Sequence, residues 1–133
     1  MKYEIDEMLK RGGGAIVNTA SRAGDSASHN MFSYIATKHA VVGMTRSAAI
    51  DFAGSNIRVN ALMPGFTHTP MLETAAKGAA LPSIDDVAKL MVPMKRLGRA
   101  EEQAEAAVWL CSDRASYVTG TTMVDDGGMS AGH

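Results

Sequence analysis

Ser21-Arg22-Ala23-Gly24-Asp25-Ser26-Ala27-Ser28-His29-Asn30-Met31-Phe32-Ser33-Tyr34-Ile35-Ala36-Thr37-Lys38 is the stretch whose reading decides the fold of this 133-residue chain. It places a hydroxyl at Ser21, a phenol at Tyr34 and an amine at Lys38. Tyr34 and Lys38 stand four apart, which on a helix puts both on one face, within reach of each other. A phenol ordinarily ionises near ~10, so it is a poor acid or base at neutral pH, but a neighbouring ammonium favours the phenolate. Such a phenol gives or takes a proton at a carbonyl or alcohol while a serine hydroxyl holds the reacting oxygen. Tyr-x-x-x-Lys alone is a weak signal, more readily read as an exposed lysine beside a half-buried tyrosine. Its surroundings give it weight.

Upstream, Ala15-Ile16-Val17-Asn18-Thr19-Ala20 reads as a buried parallel strand, short, apolar and bounded by glycine. Ser21 falls at its C-terminal end, where ligands bind in open α/β sheets. Residues 22–30 are a polar loop. A long helix from about 31 to 53 presents Ala36, Ala40, Gly43, Ala48 and Ala49, small enough for close approach by another helix, and Gly54 is expected to stop it. Before the strand, residues 2–11 form a short amphipathic helix on Ile5, Met8 and Leu9. Gly12-Gly13-Gly14 is not a phosphate loop: it leads from helix to strand, as a helix C-cap does, rather than from strand into a helix N-terminus.

Downstream, Ile57-Arg58-Val59-Asn60-Ala61-Leu62-Met63 is a second strand, broken by Pro64-Gly65. Short helices are expected at 70–78 and about 83–91, around a Gly/Ala/Pro loop. A helix follows at 100–112, with Glu101 and Glu102 in the turn where acids suit the dipole and Val108, Trp109 and Leu110 on its buried side. Residues 117–128 read as a loop and a third strand ending in glycines.

Gly14-Ala15-Ile16-Val17-Asn18-Thr19-Ala20-Ser21-Arg22-Ala23-Gly24, then Tyr34-Ile35-Ala36-Thr37-Lys38-His39-Ala40, then Asn56-Ile57-Arg58-Val59-Asn60-Ala61-Leu62-Met63-Pro64-Gly65, in that order and spacing, resemble the short-chain dehydrogenase/reductase superfamily. The resemblance covers nearly the whole chain but only the second half of the family's fold. It implies an α/β protein, the C-terminal half of a Rossmann-like doubly wound parallel sheet, about three strands with flanking helices. Residues 1–133 would be one partial domain, with 66–97 a substrate lid inside it. The family binds NAD or NADP and passes hydride between the nicotinamide and a secondary alcohol or carbonyl. By resemblance Tyr34 is the general acid/base, Lys38 favours its phenolate and holds the nicotinamide ribose, and Ser21 orients the substrate oxygen. Pro64, Gly65, Phe66, Thr67 and Thr69 would lie against the cofactor, through the backbone around Phe66 and Thr67 and the Thr69 hydroxyl.

The family's first strand, glycine-rich diphosphate loop, ribose selector and upstream catalytic Asn have no match, so the chain is expected to begin in mid-fold, as a fragment of a longer enzyme. NAD versus NADP cannot be read. Lid residues Met71, Leu72, Leu81, Leu90, Met91 and Met94 suit either an apolar substrate pocket or core packing. In the family the long helix also makes a subunit interface, so a homo-oligomer is expected. A different class of function stands beside the enzyme: a catalytically silent module that uses the long helix and an open sheet edge to bind itself or a full-length relative. An unrelated α/β domain is the third reading.

Composition bounds these readings. Hydrophobic content of 46% and charge of 20% are ordinary for a globular protein. A net charge of −1 leaves no basic footprint for nucleic acid or an anionic membrane. The single Cys111 permits no internal disulfide and suits a reducing compartment; with no signal-like segment and no long apolar run, the sequence reads as cytoplasmic. Four scattered histidines argue for no metal.

Overall fold

A computed structural model describes residues 1–78 and 83–132; Leu81 lies outside them. The elements are α1 (Lys2–Arg11), β1 (Gly14–Thr19), α2 (Phe32–Phe52), β2 (Ile57–Pro64), α3 (Pro70–Gly78), α4 (Ile84–Met91), α5 (Ala100–Cys111) and β3 (Thr122–Asp125). The three strands form one parallel sheet in the order β1-β2-β3. Gly14 pairs with Ile57 through to Thr19 with Leu62, and Ala61 pairs with Thr122 through to Pro64 with Asp125. This is the expected Rossmann-like α/β half with flanking helices.

The central strand explains the layering. Ile57 and Val59 pack with Ile5 of α1 and Ala48 and Ala49 of α2, while Ala61 and Met63 pack with Val42. Its alternate residues face α5, where Arg58 reaches the helix's last carbonyls. With both faces covered, β2 is buried along nearly its whole length. On α2, Thr45 is wholly buried without cost because its hydroxyl donates to Val41 O at 2.8 Å and accepts from Asn18 Nδ2 at 2.9 Å.

Three details differ from expectation, and the facing of the small residues on α2, which the sequence left open, is resolved. β1 is half-buried rather than buried, because among the described residues only β2 pairs with it, leaving its other edge open. α2 ends at Phe52, but Gly54 is not where helical backbone stops: a 3-10 turn over Ala53–Ser55 runs past it, and the chain reverses at Asn56 (φ 59°), a residue type that tolerates the left-handed region. Ala48 and Ala49 are buried, but Ala36, Ala40 and Gly43 lie on the outer face of α2. Leu110 is buried whereas Val108 is 63% exposed, since residues two apart on a helix point to different sides. The glycine run behaves as a cap: Gly12 (φ 84°) sits in the left-handed conformation that closes α1.

Candidate active site

The C-terminal ends of the strands gather the candidate residues. β1 ends at Thr19, and Ala20 stays tied to the sheet through its N–H to Leu62 O at 2.8 Å. Ser21 then caps a 3-10 turn, Arg22–Gly24, its Oγ accepting from Ala23 N at 3.2 Å. The oxygen is spent on the turn, but its proton has no acceptor among the described residues, so it remains free to donate outward. Gly24 lets this turn lie directly on α2. A Cβ there would stand 3.0 Å from Val42 Cγ2 and 3.1 Å from Lys38 O. The close approach seats the serine turn against the helical turn that carries Lys38.

Tyr34 and Lys38 are both half-buried, one turn apart at the start of α2. Lys38 Nζ lies 5.6 Å from the centroid of the Tyr34 ring, within cation–π range, and donates to Thr19 O at 3.2 Å. The amine is thus fixed between the phenol and the end of the strand that leads into Ser21. Sequence spacing alone gave the one-face relation; the anchor to Thr19 depends on how α2 crosses the sheet.

The second wall of the site follows β2. Gly65 N donates to Asp125 O at 2.9 Å, and a Cβ on Gly65 would stand 2.7 Å from Asp126 Cα, so only glycine fits beside the end of β3. Phe66 O accepts from Gly98 N and His68 N donates to Gly98 O, each at 2.9 Å. The N–H groups of Phe66 and Thr67 find no acceptor among the described residues. Unspent donors beside the C-terminal end of a parallel sheet fit a carboxamide or phosphate oxygen. The Thr69 hydroxyl is engaged within the chain: it accepts from Leu72 N at 3.3 Å and donates to Thr67 O at 3.4 Å, capping α3 with Pro70 at its first position.

Of the lid residues, Leu72 packs beside a cluster of Ala88, Val92, Leu97 and Met129. Met71, Leu90, Met91 and Met94 are exposed. Core packing therefore accounts for one of the five described.

Two features were missed from sequence. Arg96 forms a bidentate pair with Glu102, both contacts at 2.8 Å, and Glu102 also accepts from Arg99 N at 2.8 Å. The Arg96 guanidinium and the Arg99 N–H hold the Glu102 carboxyl down to about 2. Gln103 lines a cavity of about 180 Å³ with Phe66, Arg96, Glu102 and Asp125, and its buried Oε1 has no partner among the described residues. The spacing Arg-x5-Glu across a helix start was the only sequence signal for the pair. Among the described residues no group of three His, Cys, Asp or Glu side chains gathers as a metal site, and no helix is long and apolar enough to cross a membrane.

A parallel Rossmann-like sheet with a serine turn, a Tyr–Lys pair and a Pro-Gly loop at its strand ends defines the class. The chain belongs to the short-chain dehydrogenase/reductase family: the family model described as Enoyl-(Acyl carrier protein) reductase matches residues 1–130. It is 48% identical over 132 residues to the 2,5-dichloro-2,5-cyclohexadiene-1,4-diol dehydrogenase of Sphingobium indicum, covering 98% of this chain and 52% of that protein. It is 42% identical over 127 residues to the cyclohexanol dehydrogenase of an Acinetobacter species, covering 96% and 47% respectively. Among solved structures, ElxO with NADP bound matches with a TM-score of 0.88 at 34% identity, over 98% of this chain and 52% of ElxO. The chain spans about half the length of the curated relatives it matches.

Proposed function

We propose that this chain carries the proton-transfer half of an oxidoreductase that moves hydride between NAD or NADP and a secondary alcohol or carbonyl. The observation that carries the reading is the Lys38 amine held 5.6 Å from the Tyr34 ring and 3.2 Å from Thr19 O, beside the Ser21 turn. In this reading Tyr34 gives or takes the proton at the substrate oxygen. Lys38 stands over the Tyr34 ring and offers its remaining N–H donors to the nicotinamide ribose. Ser21, its proton uncommitted, donates to the substrate oxygen and fixes it within reach of Tyr34. The free N–H groups of Phe66 and Thr67, on the loop opened by Pro64 and Gly65, would hold the nicotinamide side of the cofactor, and Thr69 supports that loop by capping α3. When bound, the cofactor supplies the hydride chemistry.

Ring alcohols named in two relatives, and the exposed Met71, Leu90, Met91 and Met94, favour an alicyclic secondary alcohol or its ketone as substrate, with residues 66–97 acting as the lid. Self-association through the outer face of α2, where Ala36, Ala40 and Gly43 line up, fits the same reading, as does a cytoplasmic, reducing setting for Cys111.

The second reading, a silent module that binds itself or a full-length relative, rests on the open edge of β1 and on exposed Phe32 and Ile50 along α2. Titration of the purified chain with NADH and NADPH, followed by cofactor fluorescence, separates the two. The enzyme reading expects saturable binding that weakens in Lys38→Met, and alcohol turnover lost in Tyr34→Phe with binding retained. A folded chain that binds neither cofactor leaves the silent module or assigns the chemistry to a longer enzyme, and absence of turnover even when the chain is joined to the N-terminal half of a relative refutes the enzyme reading.

A further inference from the structure

We infer that Glu102 is a positioning residue, whose carboxylate clasps Arg96–Arg99 and so holds the Phe66–His68 backbone along the wall of the candidate cofactor site. Only the functional meaning of that wall rests on the proposed function; the clasp itself does not.

The geometry runs through Gly98. Its N–H donates to Phe66 O and its carbonyl accepts from His68 N, the two bonds of a one-residue parallel bridge between Thr67 and Gly98. These bonds close the neck of the segment between residues 66 and 98, so anything that fixes Gly98 also fixes residues 66–68. Gly98 itself has no side chain to hold it. It is flanked by Arg96 and Arg99, and both are tied to one carboxylate. Arg96 grips both oxygens of Glu102 in a planar fork, and the Arg99 N–H is bonded to Oε2. Arg96 Nη1 also donates to Leu97 O at 3.1 Å, so the guanidinium spans the tether.

The arrangement is half of a capping box. Glu102 reaches back to the N-terminal backbone of α5, but Arg99 has no side-chain acceptor with which to return the bond. Arg96 takes up the carboxylate's other contacts. Glu102 thereby serves the loop as much as the helix. A Cβ on Gly98 would lie 3.3 Å from Gln103 Nε2 and 3.7 Å from Phe66 O and Thr67 Oγ1, so the tether runs at ordinary contact distance alongside Thr67, and its two backbone bonds couple it to residues 66–68.

Amide hydrogen exchange on the full chain tests this, comparing wild type with Glu102→Gln and Arg96→Met. The expected result is a threefold to tenfold loss of protection at Gly98 and His68 in both variants, with Ala61 and Gly120 in the β2–β3 ladder unchanged. In the wild type, 1 M salt should weaken the same two amides selectively, which needs no variant to fold. Unchanged protection at Gly98 and His68, or a uniform loss across the sheet, overturns the inference. A cofactor titration alongside keeps the readings apart. Failure of the wild type to bind NADH or NADPH counts against the proposed function, whereas the exchange pattern alone decides the clasp.

Discussion

Replacing Asn60 by Leu tests how the loop-bearing ends of β2 and β3 are held together. Asn60 is fully buried; its Nδ2 donates to Val118 O at 2.9 Å and its Oδ1 accepts from Thr121 N at 3.1 Å. Leucine has the same branched shape with bulkier methyl groups and makes neither bond, so any overpacking adds to the loss from the missing bonds. The Thr121 N–H is then buried without an acceptor, at a cost of about 1–3 kcal/mol. Val118 O keeps a second donor, Arg58 Nη1 at 3.3 Å, so losing its amide partner costs about 0.5–1.5 kcal/mol. Leucine recovers a part of this, under ~1 kcal/mol, because no amide has to be desolvated. The net expectation is a loss of about 2–3 kcal/mol, or a fall in Tm of about 6–12 °C for a domain of this size. Urea unfolding followed by circular dichroism reads it as a lower midpoint at constant m. Because Arg58 shares Val118 O, the double variant with Arg58→Met should lose about 1 kcal/mol more than the sum of the singles. A loss below about 1 kcal/mol for Asn60→Leu, or strict additivity with Arg58→Met, would refute the reasoning.

Gly65→Ala should destabilise by about 1–3 kcal/mol, because its Cβ would meet the Asp126 backbone at 2.7 Å and displace the bond from Gly65 N to Asp125 O; an unchanged Tm would mean the loop simply shifts. Gln103→Met removes a buried acceptor that has no partner and gives up one long bond, Nε2 to Asp125 O at 3.3 Å, so stability should be unchanged or higher by about 1 kcal/mol in urea titration. Glu102, held at about 2 by Arg96 and the Arg99 N–H, lies below an unfolded carboxylate near ~4.3, so its contribution is present above that value and lost as pH falls through about 2. The stability gap between wild type and Glu102→Gln should therefore be flat from pH 8 to 5 and shrink on acidification; a gap that widened in acid would contradict the ion pair.

Much of the fold was legible because its signals are local. An apolar run ending in Ser21, the four-residue step from Tyr34 to Lys38 and the Pro64-Gly65 break each announce an element or its end within a few residues. Helix positions at α1, α2, α3, α4 and α5 follow the sequence to within a residue or two. What failed were judgements of face. Val108 and Leu110 both read as apolar, yet only the packing of α5 on the sheet decides which one turns inward. The faces of α2 were decided the same way: of the small residues the sequence singled out, Ala48 and Ala49 turn inward and Ala36, Ala40 and Gly43 outward, while Thr45, a polar residue mid-helix, is wholly buried.

By itself the sequence determined the class of the protein and the order of its elements and named the candidate residues at the strand ends, since these depend on side-chain type and short-range periodicity. Tertiary structure decided the rest. Lys38 reaches Thr19 O across nineteen residues, Arg58 reaches Leu110 O across fifty-two, and Gly98 is stitched to Phe66 and His68 across some thirty. Such contacts exist only once parallel strands and crossing helices fix distant backbones side by side, and no local pattern encodes that register.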